Sequence, residues 1–362
     1  MKKNEKNLFL NICSYESDNA ALLKELLADN AGPNVLGLLF FNRMQGIAYG
    51  NLKNKNLISE VNREFRNALK SAYEDNLQKN ESYFRCINYL NDILKDKKEK
   101  YAMLKGAYLC SLYPKGYRTS NDVDLLVRQE DVTDIGNALR FAGFVQGHIR
   151  NDAFIPASRA EIISSKMMRG ETVPYIKEMN LPGMKYLEVD INFSLGYKNE
   201  TGLSVDSIIS DSEEITIEYL TVKIPSPTDF IIYLCCHLYK EATALPWIEM
   251  RRDMTLYKYC DIYMLLEKMS KCEADRMFSR AKELGLTNEC CFAVLQTAAL
   301  FDVQNKYAVC KASKLLSDKE FMNTVFDPKN NKQLVYTNRS IRGRFFSENR
   351  KKLLKEKTNE KA

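Results

Sequence analysis

Histidine is scarce in this sequence, and no two cysteines have the Cys-x-x-Cys spacing of a zinc site. The chain of 362 residues holds two histidines and ten cysteines, whereas zinc sites draw on these two residue types at short, regular spacings. The cysteines are scattered through apolar segments, for example at Cys235-Cys236 and Cys290-Cys291. We therefore expect no zinc, no disulfide framework, and cysteines that act as small core residues in a reducing compartment.

The sequence also lacks a long apolar run. No stretch approaches the roughly 18 to 20 uncharged apolar residues that a membrane helix requires. The start, from Met1 to Lys6, leads into a short apolar run without a small-residue cleavage site. We expect a soluble, cytoplasmic protein without a membrane partner, and a hydrophobic content of 45% in a chain of this length allows two or three domains.

Excess positive charge is absent from most of the chain. The formal net charge is +6, and the segment from Asn338 to the C-terminus holds nine basic residues against three acids, so nine minus three accounts for the whole excess. Such a basic tail is typical either of a solvated helix end or of an arm that binds a polyanion. The near-neutral remainder argues against a long nucleic acid as partner, because phosphate contacts need clustered Lys and Arg.

Hydrophobic periodicity divides the chain into three segments. Residues 1–98 carry helical patterns, the last of which, from Ile58 to Leu94, predicts one long helix or two in series. Strand-like runs alternate with helices in residues 99–225, and helical spacing returns after the N-cap signal at Ser226. The predicted fold class is α+β: a small mixed-sheet core flanked by an N-terminal helical domain and by a C-terminal helical domain, residues 226–362, that carries the basic tail.

Local patterns predict the elements of the middle segment. Helices are predicted at residues 107–113 and 132–141. Strands are predicted at residues 101–104, 122–127, 144–148, 161–167 and 185–193, with a hairpin at 214–224.

Two carboxylates stand at the start of the apolar strand 122–127. Because side chains alternate along a strand, Asp122 and Asp124 project to one face. Mutual repulsion makes two charged carboxylates unfavourable in apolar surroundings, and a divalent cation relieves it by taking oxygen ligands from both. A lone Asp-x-Asp is also common on exposed strands, where it has no catalytic role.

A second strand pattern, from Tyr186 to Phe193, places Glu188, Asp190 and Asn192 on one face. If this strand lies beside the first, its polar face aligns with the aspartate pair. Acids from both strands around one or two magnesium ions can hold a nucleoside triphosphate and activate an attacking hydroxyl. Glu188 is open to two interpretations, a substrate contact or a surface residue.

These strands and the segment before them resemble the polymerase-beta-like nucleotidyltransferases. Leu104-Lys105-Gly106 is followed by Arg118-x-x-x-Asp122-x-Asp124-Leu-Leu-Val and by a later strand with Asp190. This order is similar to that of a poorly characterised bacterial branch of the superfamily. The resemblance covers roughly residues 101–266 and extends to two residues on later helices, His237 and Asp261.

The resemblance implies a nucleotidyltransferase core, a nucleoside triphosphate as substrate, and Mg²⁺ as cofactor, with Mn²⁺ as an alternative. The catalytic residues and metal ligands that it implies are Asp122, Asp124 and Asp190. The nucleotide-binding residues that it implies are Lys105, Gly106, Arg118 and Ser120. His237 is either a substrate contact or a packed residue.

The phosphate-binding turn departs from the superfamily pattern. It usually reads Gly-Ser or Gly-Gly, whereas this chain has Gly106-Ala107. Without the hydroxyl, backbone N–H groups at the start of the helix are left to contact phosphate.

Three functions are compatible with these residues. The leading hypothesis is an enzyme that transfers a nucleoside monophosphate to a hydroxyl or similar acceptor, a small molecule or a protein rather than a nucleic acid, and releases pyrophosphate. A metal-dependent glycosyltransferase also uses Asp-x-Asp, but it has no role for the Lys-Gly turn or for Asp190. A non-catalytic nucleotide-binding or regulatory protein on the same fold is the third possibility, and Gly106-Ala107 keeps it open.

Overall fold

The computed structural model describes residues 1–195 and 203–357. Its helices are α1 (Lys3–Cys13), α2 (Ala20–Asn30), α3 (Pro33–Phe41), α4 (Gln45–Asn54), α5 (Arg63–Ile93), α6 (Gly106–Leu112), α7 (Val132–Phe141), α8 (Arg159–Arg169), α9 (Leu203–Ser210), α10 (Pro227–Ala242), α11 (Leu245–Glu249), α12 (Leu256–Lys268), α13 (Lys271–Glu283), α14 (Thr287–Leu300), α15 (Lys306–Leu315) and α16 (Ile341–Phe345). Its strands are β1 (Tyr101–Met103), β2 (Asp122–Val127), β3 (Val145–Arg150), β4 (Ala153–Pro156), β5 (Tyr175–Leu181), β6 (Met184–Asn192), β7 (Glu213–Ile217), β8 (Leu220–Ile224), β9 (Thr324–Asp327), β10 (Lys332–Tyr336) and β11 (Leu354–Glu356).

The chain packs into two compact units. The first unit joins Met1–Leu69 to Ile231–Ala362, and the second unit is Lys70–Phe230. Apolar side chains near the two chain ends pack together in the first unit, where Phe9 stacks on Phe345 with ring centroids 6.1 Å apart. The division at residues 98 and 225 follows local periodicity, which does not show which distant helices bury their faces against each other, and it stays a prediction.

The second unit is built on a mixed sheet. Within the described residues the sheet has six strands in the order β1-β2-β6-β5-β3-β4, and β2 runs parallel to β6 while the other neighbours are antiparallel. Alternate side chains such as Val123 on β2 and Val189 on β6 are fully buried, in a core that includes Tyr83 and Ile87 of α5. The predicted α+β class is confirmed, and the opposite sides of β2 and β6 carry their polar residues.

Local patterns predicted β2 and α7 with the bounds that the structure shows. The strand predicted at residues 161–167 is wrong, because this segment forms α8. Adjacent β-branched Ile162 and Ile163 favour a strand, but Ser158 caps the helix through its Oγ, which accepts from the Glu161 N–H at 3.2 Å. Strands β4, β5 and β9 to β11 were not predicted.

Two arginines of the basic tail are buried in the first unit. Arg350 donates from Nε and Nη2 to the carboxylate of Asp253, both at 2.6 Å, and the guanidinium of Arg344 lies 4.6 Å from the ring centroid of Tyr336. These arginines are therefore part of the fold rather than of a solvated helix end or a binding arm. Lys361 lies outside the described residues.

Most of the cysteines are core residues. All ten cysteines lie in the described residues and are free, and eight of them are buried, as expected of small core residues. Across residues 1–195 and 203–357, none of the helices combines the length and the apolar character needed to span a bilayer.

Candidate active site

The parallel pairing of β2 with β6 brings the two acidic stretches side by side. Asp122 lies opposite Glu188, and Asp124 lies opposite Asp190. Side chains at paired positions of neighbouring strands project to the same side of a sheet. The four carboxylates therefore share one side of the sheet, which we call the acid face, as the alternation in the sequence predicted.

A further carboxylate, Glu171, lies close enough to the acid face from the segment between α8 and β5 for its charge to help raise the pKa of Asp190. Glu171 forms an antiparallel bridge with Asn192 at the end of β6, and the Asn192 amide donates to Asp124 Oδ1 at 3.4 Å. Sequence reasoning missed Glu171 because it lies in an irregular segment without periodicity. Asn192 had a signal, its place in the polar alternation of the strand, but no role was assigned to it.

Burial and crowding disfavour the charged forms of these acids. Burial raises the pKa of Asp124 to about 6 against the opposing charge of Lys105, and the charge of Asp122 adds to the increase. Burial, together with the charges of Asp124 and Asp122, holds the pKa of Asp190 well above its usual range. Carboxylates that destabilise one another in this way are typical of sites that bind a cation or move a proton.

Lys105 supplies a positive charge to the acid face. Its Nζ lies 2.7 Å from Asp124 Oδ1, and its backbone follows β1, where the Leu104 N–H donates to the Asp124 carbonyl at 2.8 Å. The Lys105 backbone has φ 43° and ψ −109°, a sparsely populated conformation for a residue with a Cβ, of the kind that clusters at functional sites. The turn therefore delivers the ammonium group to the aspartates.

Gly106 opens α6 against the loop that precedes β2. A Cβ at this position would lie 2.5 Å from the Tyr83 hydroxyl and 2.6 Å from the Ser120 Cβ, so the close approach requires glycine. Ser120 Oγ donates to Asp122 Oδ1 at 2.8 Å. Arg118 is buried and its guanidinium donates to the Thr119 carbonyl. Thus Lys105, Gly106 and Ser120 border the aspartates, while the observed bond of Arg118 is to its own loop.

Helix α5 holds the loop that leads to Asp122. The side chain of Asn80, which is buried, accepts from the Gly116 N–H at 3.2 Å and donates to the Arg118 carbonyl at 2.9 Å. The Tyr83 hydroxyl donates to the Asp122 carbonyl at 2.9 Å. The sequence indicates only a packing stripe on this helix, because bonds to a loop some forty residues away leave no local pattern.

Replacing Asn80 with alanine is expected to lower the free energy of unfolding by about 2 kcal/mol, because the buried N–H of Gly116 and carbonyl of Arg118 lose their partners. Urea unfolding measures the change. Asn91→Ala on the same helix is the matched control, since Asn91 donates to the Thr221 carbonyl at the surface, where water can replace it. Equal losses in the two variants would contradict the role of Asn80.

Replacing Asp124 with asparagine is expected to stabilise the ion-free protein at pH 7.5. The pKa of Asp124 is raised from its ordinary value of 3.8 to about 6, so the folded state binds more protons than the unfolded state, and stability falls as the pH rises through this range. The shift corresponds to at most about 3 kcal/mol. Urea unfolding in EDTA from pH 4 to 7.5 should show a flatter profile for Asp124→Asn, and lower stability of the variant at pH 7.5 contradicts the prediction.

Asp134→Asn provides a control of opposite sign. Asp134 is a half-buried carboxylate near the surface, and hydrogen bonds from Lys100 and Lys97 lower its pKa. Its removal is expected to reduce stability slightly above pH 4, because ion pairs near the surface contribute little.

The predicted residues on the later helices lie in the first unit. His237 Nε2 is 3.4 Å from Glu241 Oε1, one turn further along α10, and the His237 ring stacks on Tyr233. Asp261 is buried within α12. These contacts agree with packing roles, and a substrate contact by His237 stays a prediction.

The donors of the acid face suit a hard divalent cation, because Mg²⁺ prefers carboxylate oxygens. Among the described residues, no three His, Cys, Asp or Glu side chains converge closely enough to hold an ion as they stand. Lys105 occupies one oxygen of Asp124. Cation binding therefore requires side-chain rearrangement and release of Asp124 by the ammonium group.

A family model described as an uncharacterised nucleotidyltransferase matches residues 33–302. The chain belongs to this nucleotidyltransferase family. The match runs from α3 to α14. It therefore extends on both sides of residues 101–266, the region that carries the sequence motifs. No curated protein matches this nucleotidyltransferase significantly. Family membership agrees with the predicted nucleotidyltransferase assignment, whereas the specific motif and the bacterial branch stay predictions.

Proposed function

We propose that this nucleotidyltransferase transfers a nucleoside monophosphate from a nucleoside triphosphate to a hydroxyl or similar acceptor, with Mg²⁺ as cofactor. The observation that carries the proposal is the parallel register of β2 and β6, which puts Asp122, Asp124 and Asp190 on one face. Lys105 lies at the same face. Acids from two strands beside a basic turn are the parts that metal-assisted phosphoryl displacement requires.

Asp122, Asp124 and Asp190 would hold one or two Mg²⁺ ions, or Mn²⁺. When bound, the metal neutralises the triphosphate and the charge that develops during transfer. Without the metal, burial and the charges of the neighbouring acids disfavour the ionised forms of Asp124 and Asp190, which raises the pKa of both. Binding of a cation would relieve this unfavourable free energy, and the relief would contribute to the affinity for the cation.

The turn after β1 would hold the triphosphate. Once released from Asp124, the Lys105 ammonium group is available to a phosphate oxygen, and the backbone N–H groups at the start of α6 would contact phosphate. Ser120 keeps the Asp122 carboxylate oriented through its hydrogen bond. Arg118 would add positive charge if its side chain left the loop.

The reaction would be an in-line displacement at the α-phosphorus. The acceptor oxygen forms a bond to the α-phosphorus, the bond from that phosphorus to the bridging oxygen breaks, and pyrophosphate leaves. The acceptor proton passes to Asp190, which is partly exposed, whereas Asp124 is buried. Glu188, paired with Asp122 across the strands, would contact the acceptor.

A small molecule or a protein is the acceptor that these observations favour. Arg344 and Arg350 are buried in the first unit and do not form a basic arm for a nucleic acid. The free cysteines support a cytoplasmic location.

The test uses nucleoside triphosphates labelled at the α-phosphate, with Mg²⁺, with Mn²⁺ and with EDTA, against candidate small-molecule and protein acceptors. Metal-dependent label transfer with pyrophosphate release that is lost in Asp122→Ala supports the proposal. Equal label transfer by the variant removes Asp122 from the mechanism. Metal-dependent nucleotide binding without turnover would favour the non-catalytic alternative, and transfer from a nucleotide-sugar would favour a glycosyltransferase.

A further inference from the structure

The second unit contains a cavity of about 670 Å³ that the proposed reaction does not use. We call it the trough, and it lies between α5, α6, β7 and the turn that follows β7. None of the acids on the acid face lines it. Its volume falls within the range of about 300 to 1,000 Å³ that is typical of small-molecule sites.

The floor and one edge of the trough are aromatic. Phe84 on α5 and Tyr113 are buried, and Tyr108 on α6 is half-buried. Tyr219, in the hairpin turn, is 64% exposed and lines the same cavity. A large exposed aromatic at the rim of an aromatic cavity is the arrangement that stacks on a planar ligand.

The charged side chains that line the trough are two acids, Glu81 and Glu218, and two bases, Arg85 and Lys115, so their formal charge sums to zero. At one end, Lys115 Nζ lies 2.8 Å from Glu218 Oε1, and the nearby charge of Glu81 also favours the ammonium form and helps to raise the pKa of Lys115. Arg85, an exposed residue of α5, lines the trough as well. Among the residues that the structure describes, no carboxylate lies within ion-pair distance of its guanidinium, so Arg85 is available to an anion.

We propose that the trough binds a planar aromatic molecule that carries an anionic group. The ring packs against Phe84, Tyr108 and Tyr219, and the anion pairs with Arg85. The proposal is independent of the proposed transfer reaction, because none of these side chains has a part in it.

The first experiment titrates the full chain with 1-anilinonaphthalene-8-sulfonate and follows its fluorescence. Arg85→Gln is expected to weaken binding about tenfold, as the loss of a charged hydrogen bond. Tyr219→Ser should weaken it roughly fivefold through lost stacking. Matched controls are Arg63→Gln, an exposed arginine at the start of the same helix, and Phe141→Ser, a surface aromatic that is 97% exposed; both should bind as the natural chain does.

A second ligand tests the anionic group. N-phenyl-1-naphthylamine lacks the sulfonate and should bind the natural chain about tenfold more weakly, but bind Arg85→Gln and the natural chain alike. Equal affinities of the four variants for the sulfonate, or no binding of it by the natural chain, would overturn the proposal.

Thiol alkylation locates the bound probe. Ser111 lines the trough and is exposed, whereas Cys272 and Cys310 are exposed elsewhere. In Ser111→Cys, the sulfonate should slow the reaction of iodoacetamide with the introduced thiol, mapped by mass spectrometry, and leave Cys272 and Cys310 unaffected. Unchanged alkylation of the introduced thiol at saturating probe would place the probe outside the trough and contradict the assignment.

Discussion

Replacing Asp122 with asparagine is expected to lower the rate of nucleotidyl transfer about a thousandfold, or about 4 kcal/mol of transition-state stabilisation. Asparagine keeps the shape of the side chain and can accept the Ser120 hydrogen bond, but it lacks the negative charge that a cation requires. The loss should appear in kcat, measured as pyrophosphate release at saturating triphosphate and Mg²⁺.

The control for Asp122→Asn is Glu130→Gln, an exposed carboxylate just beyond the other end of β2, which should leave transfer unchanged. The free energy of unfolding of Asp122→Asn should stay within about 1 kcal/mol of the natural chain, because the site is held by α5 and by the sheet. A variant that retains more than a tenth of the natural rate is incompatible with Asp122 as a metal ligand.

Replacing Gly106 with alanine is expected to cost about 2 kcal/mol of stability and to slow transfer about a hundredfold. The added methyl would meet the Tyr83 hydroxyl and the Ser120 side chain, and Tyr83 is fully buried and cannot turn away. Both neighbours hold Asp122, one at its carbonyl and one at its carboxylate. Their displacement therefore moves the carboxylate as well as the turn.

Gly37→Ala is the matched control for Gly106→Ala. A Cβ at Gly37, inside α3, would meet nothing within 4 Å, so alanine should raise stability by about 0.5 to 1 kcal/mol through its helix propensity. Urea unfolding and pyrophosphate release check both variants. Gly106→Ala with natural stability and activity would show that the turn tolerates a Cβ.

These predictions depend on one physical feature: the crowded, buried acids of the site lower the free energy of unfolding of the ion-free protein. Burial and the charge of Asp122 disfavour ionised Asp124, and Lys105 offsets only part of this effect. The same residues are expected to gain a cation and a triphosphate when the protein acts. Substitutions at Asp122 and Asp124 should therefore separate activity from stability, whereas Asn80→Ala and Gly106→Ala should reduce stability directly.

The strands that carry the acids, and the side of the strand to which each acid projects, could be predicted from the sequence alone. Alternation is a property of the extended backbone over a few residues, so Asp122 and Asp124 could be assigned to one face, and Glu188 and Asp190 to one face of the later strand. The resemblance then linked the two strands, and the register of β2 with β6 agrees with that link. The helix α7, with its regular apolar spacing, was predictable for the same local reason.

Contacts between distant segments could not be predicted from the sequence. Lys105 contacts Asp124 because β1 and β2 pair, Asn80 holds a loop from another helix, and Glu171 lies close to the acid face in an irregular segment. The joining of the first and last helices in one unit is of the same kind. Such contacts depend on which surfaces bury each other after long loops close, and short-range periodicity along the chain carries no record of that choice.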